Sequence, residues 1–256
     1  MDNHGVPSLL RDSPCQSTKT LTNPRDQSSL TLAPRSLAVF VDDTGHEELA
    51  KTHQVYGLGG CAALGRDIER LIHQPWKELR QRITGSADAP LHAHKFPTIA
   101  KPKDFEAVAQ FFRAHTFWRF GAVFTTETKL LPDITRLQTM RGVLEKRIDH
   151  IVQMTLCNEV KIVFESSERM DARIEGAFQA FEFFRGGKRI PTECGFMPKI
   201  AGEPALEVAD FVMHAIGRQA RHNLTRRGSF LPDFCAIFHA VDPKFTSFME
   251  VEKVAR

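Results

Sequence analysis

SLAVFVDDTG, residues Ser36 to Gly45, decides how this chain is read. Leu37 to Val41 has the length and the β-branched and aromatic content of a buried strand, and Asp and Gly punctuate its end as turn formers. The strand therefore carries two carboxylates, Asp42 and Asp43, to the rim of a sheet. Two readings of them are open. They begin a turn through side-chain hydrogen bonds to the backbone, or the sheet holds Asp42 there for chemistry.

Working outward, Gln54 to Leu64 (QVYGLGGCAAL) predicts a second strand, antiparallel to the first, with glycines where side chains would obstruct close packing. Gly57, Gly59 and Gly60 do not make a phosphate loop, because no G-K-[ST] follows and the G-x-G-x-x-G spacing is absent. Asp67 to Arg82 reads as helix despite Pro75. Lys103 to His115 places Phe105, Val108, Ala109 and Phe112 at helical spacing. Phe117 to Thr126 returns to strand composition, and Thr135 to Asn158 is a long amphipathic helix with Leu137, Met140, Leu144, Ile148, Ile151 and Met154 near one face. Val160 to Phe164 (VKIVF) is a buried strand ending at Glu165. Glu168 to Phe184 predicts a helix stopped by Gly186 and Gly187, Cys194 to Ile200 a further strand, and Pro204 to about Arg221 a helix opened by proline. This order predicts an α/β fold whose later strands pair in parallel through right-handed helical crossovers.

Composition narrows the class. Of 256 residues, 42% are hydrophobic, enough for a sizeable core, and 34 basic against 31 acidic side chains leave a formal charge of +3. Nucleic-acid contact would have to come from a local patch. Cys15, Cys61, Cys157, Cys194 and Cys235 are scattered, with no C-x-x-C pair, a pattern that suits a reducing cytosol. No apolar run approaches the roughly 20 residues that span a bilayer, and the first residues lack the apolar core of a secretory signal. The expectation is a soluble cytoplasmic protein. Residues 1–35, rich in Ser, Thr, Pro and Asn, are expected to form a disordered leader. Residues 36–256 are expected to form one domain, with a helical insertion at about 65–116 and a C-terminal extension from about 228.

Three acids share a kind of position. Asp42 ends the first strand, Glu165 ends VKIVF, and Asp210 lies in the apolar helix PALEVADFV, where an unpaired Asp is unusual. In open α/β sheets ligands favour the rim where strand ends and helix faces form a crevice. Close carboxylates repel unless protonated or bridged by a cation, and an oxygen-only set suits Mg²⁺ or Mn²⁺ rather than zinc. Two such ions suit phosphodiester hydrolysis.

These motifs resemble the domain of unknown function 3800 family, which is viewed as ribonuclease H-like. VFVDDTG is similar to that family's strand followed by D-E-S-G, VYGLGGCAAL to its Gly-rich second strand, VKIVFE to its strand with an acidic end, and ALEVADFV to its late helix bearing an A-D pair. The similarity runs from about Leu37 to Arg221. It implies a mixed α/β sheet covered by helices, with an N-terminal antiparallel hairpin and later parallel strands. It further implies a metal-dependent nuclease that cuts RNA or DNA, with Asp42, Glu165 and Asp210 as catalytic metal ligands. Asp43 and Thr44 stand where the family has Glu and Ser, and Glu207 where it often has Gln. Asp43 is thus a candidate accessory acid. Glu207, three residues from Asp210 on the helix, is either a fourth carboxylate or a solvent-facing one. A non-catalytic nucleic-acid or protein-binding module on the same fold is the alternative.

Three further features carry their own readings. Asp43-Thr44-Gly45 is literally an aspartic-protease signature; with no second copy in the chain it would require a homodimer and an all-β body. His92 and His94, two apart, would share one side of an extended strand, where His92 contacts substrate or is an ordinary surface histidine. Arg218 and Arg221, with Arg226, Arg227, Lys188 and Arg189, form the conspicuous basic grouping. They either answer a helix dipole or hold phosphates of a bound strand. The Phe-rich stretch from Phe230 to Phe248 is expected to dock on the core.

Overall fold

Part of the polar stretch 1–35, expected to form a disordered leader, is folded. The computed structural model describes residues 18–129, 135–166, 171–178 and 181–253, and in it Lys19–Thr22 (β1) and Ser29–Leu32 (β2) form an antiparallel hairpin. Strand alternation turns Leu21, Leu30 and Leu32 inward, and all three are buried. Each such side chain contributes roughly 1.5–3 kcal/mol, enough to order a short hairpin against an existing core. The expected leader is therefore corrected over residues 18–35. Residues 1–17 lie outside the described residues.

β3 (Ser36–Gly45) and β4 (Val55–Leu64) pair antiparallel, as the glycine-rich second strand predicts. α1 (Gly65–Ile68) runs through a wide π-type turn at Glu69–His73 into α2 (Gln74–Thr84), which ends on left-handed Gly85; α3 (Phe96–Ile99) and α4 (Pro102–Ala114) complete the helical segment after β4 that was expected as an insertion. β5 (Trp118–Lys129) is antiparallel to β4. α5 (Arg136–Met154) opens with a capping box between Thr135 and Gln138 and buries Met140, Leu144, Ile148 and Ile151, whereas Met154 is exposed at its end. β6 (Glu159–Ser166) lies parallel to β3.

The helix expected over 168–184 is shorter. α6 (Asp171–Phe178) is followed by a hairpin of β7 (Phe183–Arg185) and β8 (Lys188–Ile190), in which Gly186 and Gly187 adopt positive φ and form the turn rather than a helix stop. β9 (Thr192–Pro198) is parallel to β6, and α7 (Pro204–Asn223) follows a single tight turn. The chain closes with α8 (Pro232–Phe234) and β10 (Thr246–Lys253), which adds an edge strand parallel to β5. Phe234 and Phe238 dock on the core as expected. The six-stranded sheet has the order β10-β5-β4-β3-β6-β9, the ribonuclease H-like mixed sheet with helices on both faces. It is not the all-β body an aspartic protease requires.

Side-chain alternation divides the core in two. Leu37, Val39 and Val41 of β3 and Val160, Ile162 and Phe164 of β6 face α5 and α6; Ala38, Phe40 and Val163 face α7 and the insertion. The next residue of each strand keeps the period. Asp42 and Glu165, one step past the register pair Val41–Phe164, consequently fall on the α7 side. The glycines of β4 let α7 approach. A Cβ on Gly59 would come within 2.9 Å of Met213 Sδ as well as into the β5 backbone, and one on Gly60 within 2.7 Å of Ala209 Cβ. The glycine-rich strand is thus a bed for the helix that carries Asp210.

Candidate acidic site at the strand ends

Asp42, Glu165 and Lys199 come from the C-terminal ends of three neighbouring parallel strands, β3, β6 and β9, and Asp210 is laid over them by α7. Lys199 Nζ donates to Glu165 Oε1 at 3.1 Å and lies 3.6 Å from Asp210 Oδ2. Glu165 and Asp210 thus meet at an ammonium that the sequence reading missed, and Asp42 lies near enough to feel the charges of both. Asp42 is buried and one of its oxygens accepts the backbone N–H of Asp43 at 2.8 Å.

Electrostatics records the crowding. Burial, then the charges of Glu165, Asp210 and Asp43, hold the Asp42 carboxyl well above the usual carboxylate range, and Lys199 offsets only part of this. Burial also raises Glu165, against the pull of Lys199. Burial works against the charge of Lys199, yet Asp210, Asp42 and Glu165 together keep it above an ordinary lysine. Among the described residues, no group of three or more His, Cys, Asp or Glu side chains is already arranged to hold a metal ion.

The insertion closes the site from one side. Ala93 N–H donates to Asp210 Oδ2 at 2.9 Å, and Leu91 N–H donates to Glu207 Oε2 at 3.0 Å. Two acids one helical turn apart thus staple the 91–93 loop to α7. Glu207 is neither a solvent-facing residue nor part of the acidic cluster. It is buried, accepts Trp76 Nε1–H at 2.8 Å, and pairs with the Arg80 guanidinium at 2.7 Å. Its role is to anchor α2 to α7. His92 and His94 stand at a turn, not on an extended strand; His94 is exposed while His92 is half-buried. Burial, then the charge of Lys199, lowers the His92 pKa, which marks it as a neighbour of the cluster.

The remaining candidates lie elsewhere. Arg218 and Arg221 are exposed, two and three turns beyond Asp210 along α7, and Arg218 is paired with Asp233 at 2.8 Å. Arg189 pairs with Glu182 at 3.0 Å and Arg227 with Glu127. Thr44 of the protease-like tripeptide is buried against Gly217, so it serves packing between β3 and α7. Sequence could not nominate Lys199 because a lysine after a strand is ordinary until its neighbours are known. The one available signal was its position at the end of a parallel strand.

The class defined by this architecture is an α/β fold of the broad ribonuclease H-like kind, which includes both nucleases and non-catalytic members. No protein-family model matches the chain, and neither a curated protein nor a solved structure matches it. No helix among the described residues is long and apolar enough to cross a membrane.

Proposed function

We propose that this chain is a metal-dependent nuclease acting on RNA or DNA through Asp42, Glu165 and Asp210, in keeping with its resemblance to the domain of unknown function 3800 family. The observation that carries the reading is that Glu165 and Asp210, distant in sequence, meet at one cation beside a buried Asp42, whose carboxyl is held above its ordinary range first by burial and then by the charges of Glu165 and Asp210. The donor set is oxygen-only, buried to half-buried and excess in negative charge, which suits Mg²⁺ or Mn²⁺. Bound there, such ions would supply an activated water and stabilise the leaving oxygen of a phosphodiester.

The chain's own groups have definable parts. The β3 and β6 ends fix the Asp42 and Glu165 carboxylates on rigid elements, and the Ala93 N–H orients Asp210 by occupying Oδ2. Lys199 offsets part of the acids' charge in the metal-free chain, so divalent-ion binding at Glu165 and Asp210 requires its ammonium to give way. His92 borders the cluster as a group able to accept or donate a proton near a bound phosphate. The test is cleavage of single-stranded, duplex and hybrid substrates with and without divalent metal. Cutting that requires Mg²⁺ or Mn²⁺ and is lost in a folded Asp42→Asn variant supports the reading; cutting that survives the substitution overturns it.

A non-catalytic binding module is the second reading. It is favoured by the ion-paired Lys199 and by the lack, among the described residues, of a preset metal group. Such a module would bind nucleic acid equally with and without divalent metal and would cut nothing.

A further inference from the structure

Beside the acids, the insertion, α7 and the segment after α8 enclose a cleft of about 630 Å³. Its size falls within the range of about 300–1,000 Å³ usual for ligand sites. Phe96, Phe105, Phe112 and Phe211 supply aromatic walls, with Phe96 set edge-on to both Phe105 and Phe211 at 5.0 and 5.3 Å between ring centres. Phe105 is 45% exposed and forms the open edge of this aromatic wall.

Two observations tie this cleft to the acidic site. Ala93 lines it while its N–H holds Asp210 Oδ2. His214, one helical turn beyond Asp210 on α7, presents an imidazole to the same cleft. The charged groups at the mouth cancel in pairs, Arg218 with Asp233 and Arg113 with Glu106. An apolar, aromatic, locally neutral cavity suits an uncharged heterocycle, and does not suit a phosphate or a peptide charge.

We propose that this cleft receives an unstacked nucleobase of the strand whose phosphate lies at Asp42, Glu165 and Asp210. The proposal rests on the nuclease reading and names its substrate class, single-stranded nucleic acid. A base inside a duplex is stacked and paired, and must leave the helix before a side pocket can take it. Stacking on aromatic side chains is indifferent to base identity, so the pocket selects strandedness rather than sequence.

The experiment uses the full chain with Ca²⁺ in place of Mg²⁺ or Mn²⁺, so that the acids hold a cation while cleavage is suppressed, and fluorescence anisotropy of a labelled single strand, its duplex, and the same strand made abasic. The single strand should bind roughly tenfold or more tighter than the duplex and the abasic strand, the scale of one base stacked on an aromatic group. Ala109→Trp, which fills the cleft from its half-exposed wall, and Phe105→Ala, which removes one wall, should each erase that preference while thermal melting shows an intact fold. Equal binding of the three probes, or preference unaltered in both variants, overturns the pocket proposal. The nuclease reading is judged separately, by divalent-dependent cutting lost in Asp42→Asn. If an apolar dye is displaced by Ala109→Trp while strand binding is unaffected, the cleft serves a different ligand and the proposal fails.

Discussion

Lys199 donates to Glu165 across 3.1 Å, joining the turn after β9 to the end of β6 with a cation at the centre of an acidic cluster. Because the ammonium and a divalent ion would compete for the same oxygens, Lys199→Met should change two measurements in opposite senses. In EDTA the variant should lose about 1–2 kcal/mol of stability, less than a fully buried pair because the lysine is 42% exposed. Mn²⁺ affinity by titration calorimetry should rise about tenfold or more, since one repelling charge is gone. Unchanged affinity would show that Lys199 does not occupy the ion's place.

The raised carboxyls predict a pH dependence with a definite sign. Asp42 and Glu165 titrate above their unfolded values of about 3.9 and 4.3 in the folded chain, so they bind protons more tightly when folded. Their contribution to stability is complete below about pH 4 and is lost as pH rises through the raised folded values. Asp42→Asn removes the larger part of this loss. In metal-free buffer the variant should match the wild type in acid and exceed it at neutral pH by at least about 1 kcal/mol, or roughly 2–4 °C in Tm. A difference that does not vary with pH would contradict the crowding of the acids.

Glu207 should behave as a structural anchor. Glu207→Gln leaves the buried Arg80 guanidinium without its counter-charge, an error worth about 3–5 kcal/mol. Urea denaturation should show that loss, while the divalent affinity of the remaining folded protein stays within about twofold of the wild type, because Asp210 keeps its own bond to Ala93. A large drop in metal affinity with little change in stability would restore Glu207 to the ligand set.

Gly59 tests whether the sheet surface positions the site. Gly59→Val forces a branched side chain into the Gly121 and Phe120 backbone and against Met213, where overpacking costs about 1–3 kcal/mol or more. If the protein still folds, α7 must shift, and the Asp210 oxygens with it. Both melting temperature and Mn²⁺ affinity should then fall. Loss of stability with unchanged affinity would mean that Asp210 is held by the 91–93 loop alone.

Much of this fold was legible in local pattern. The short apolar runs of β3 and β6, ending in Asp42 and Glu165, state the strands and put both acids at the sheet's rim; the face each acid takes follows from the observed register, because alternate residues of a strand share a side. The glycines of β4 announced close packing, although not against which helix. The helix assigned to 168–184 failed beyond Phe178, where Phe183 and Ile190 are buried from opposite strands of a hairpin. Aromatic spacing does not separate those two outcomes. β10 was read only as a docking tail, since an edge strand acquires its form from the partner it meets, here β5, more than a hundred residues earlier in the chain.

The sequence by itself determined the α/β class and nominated the three acids, because apolar strand runs, turn chemistry and an aspartate in an apolar helix are all expressed by neighbours in the chain. Only tertiary structure decided that Lys199 stands among those acids, that Glu207 belongs to Trp76 and Arg80, and that Ala93 holds Asp210. These contacts join residues 11 to 131 positions apart. Their pairing depends on where the packed sheet and helices bring side chains together, and on the cost of leaving a buried charge or polar group without a partner.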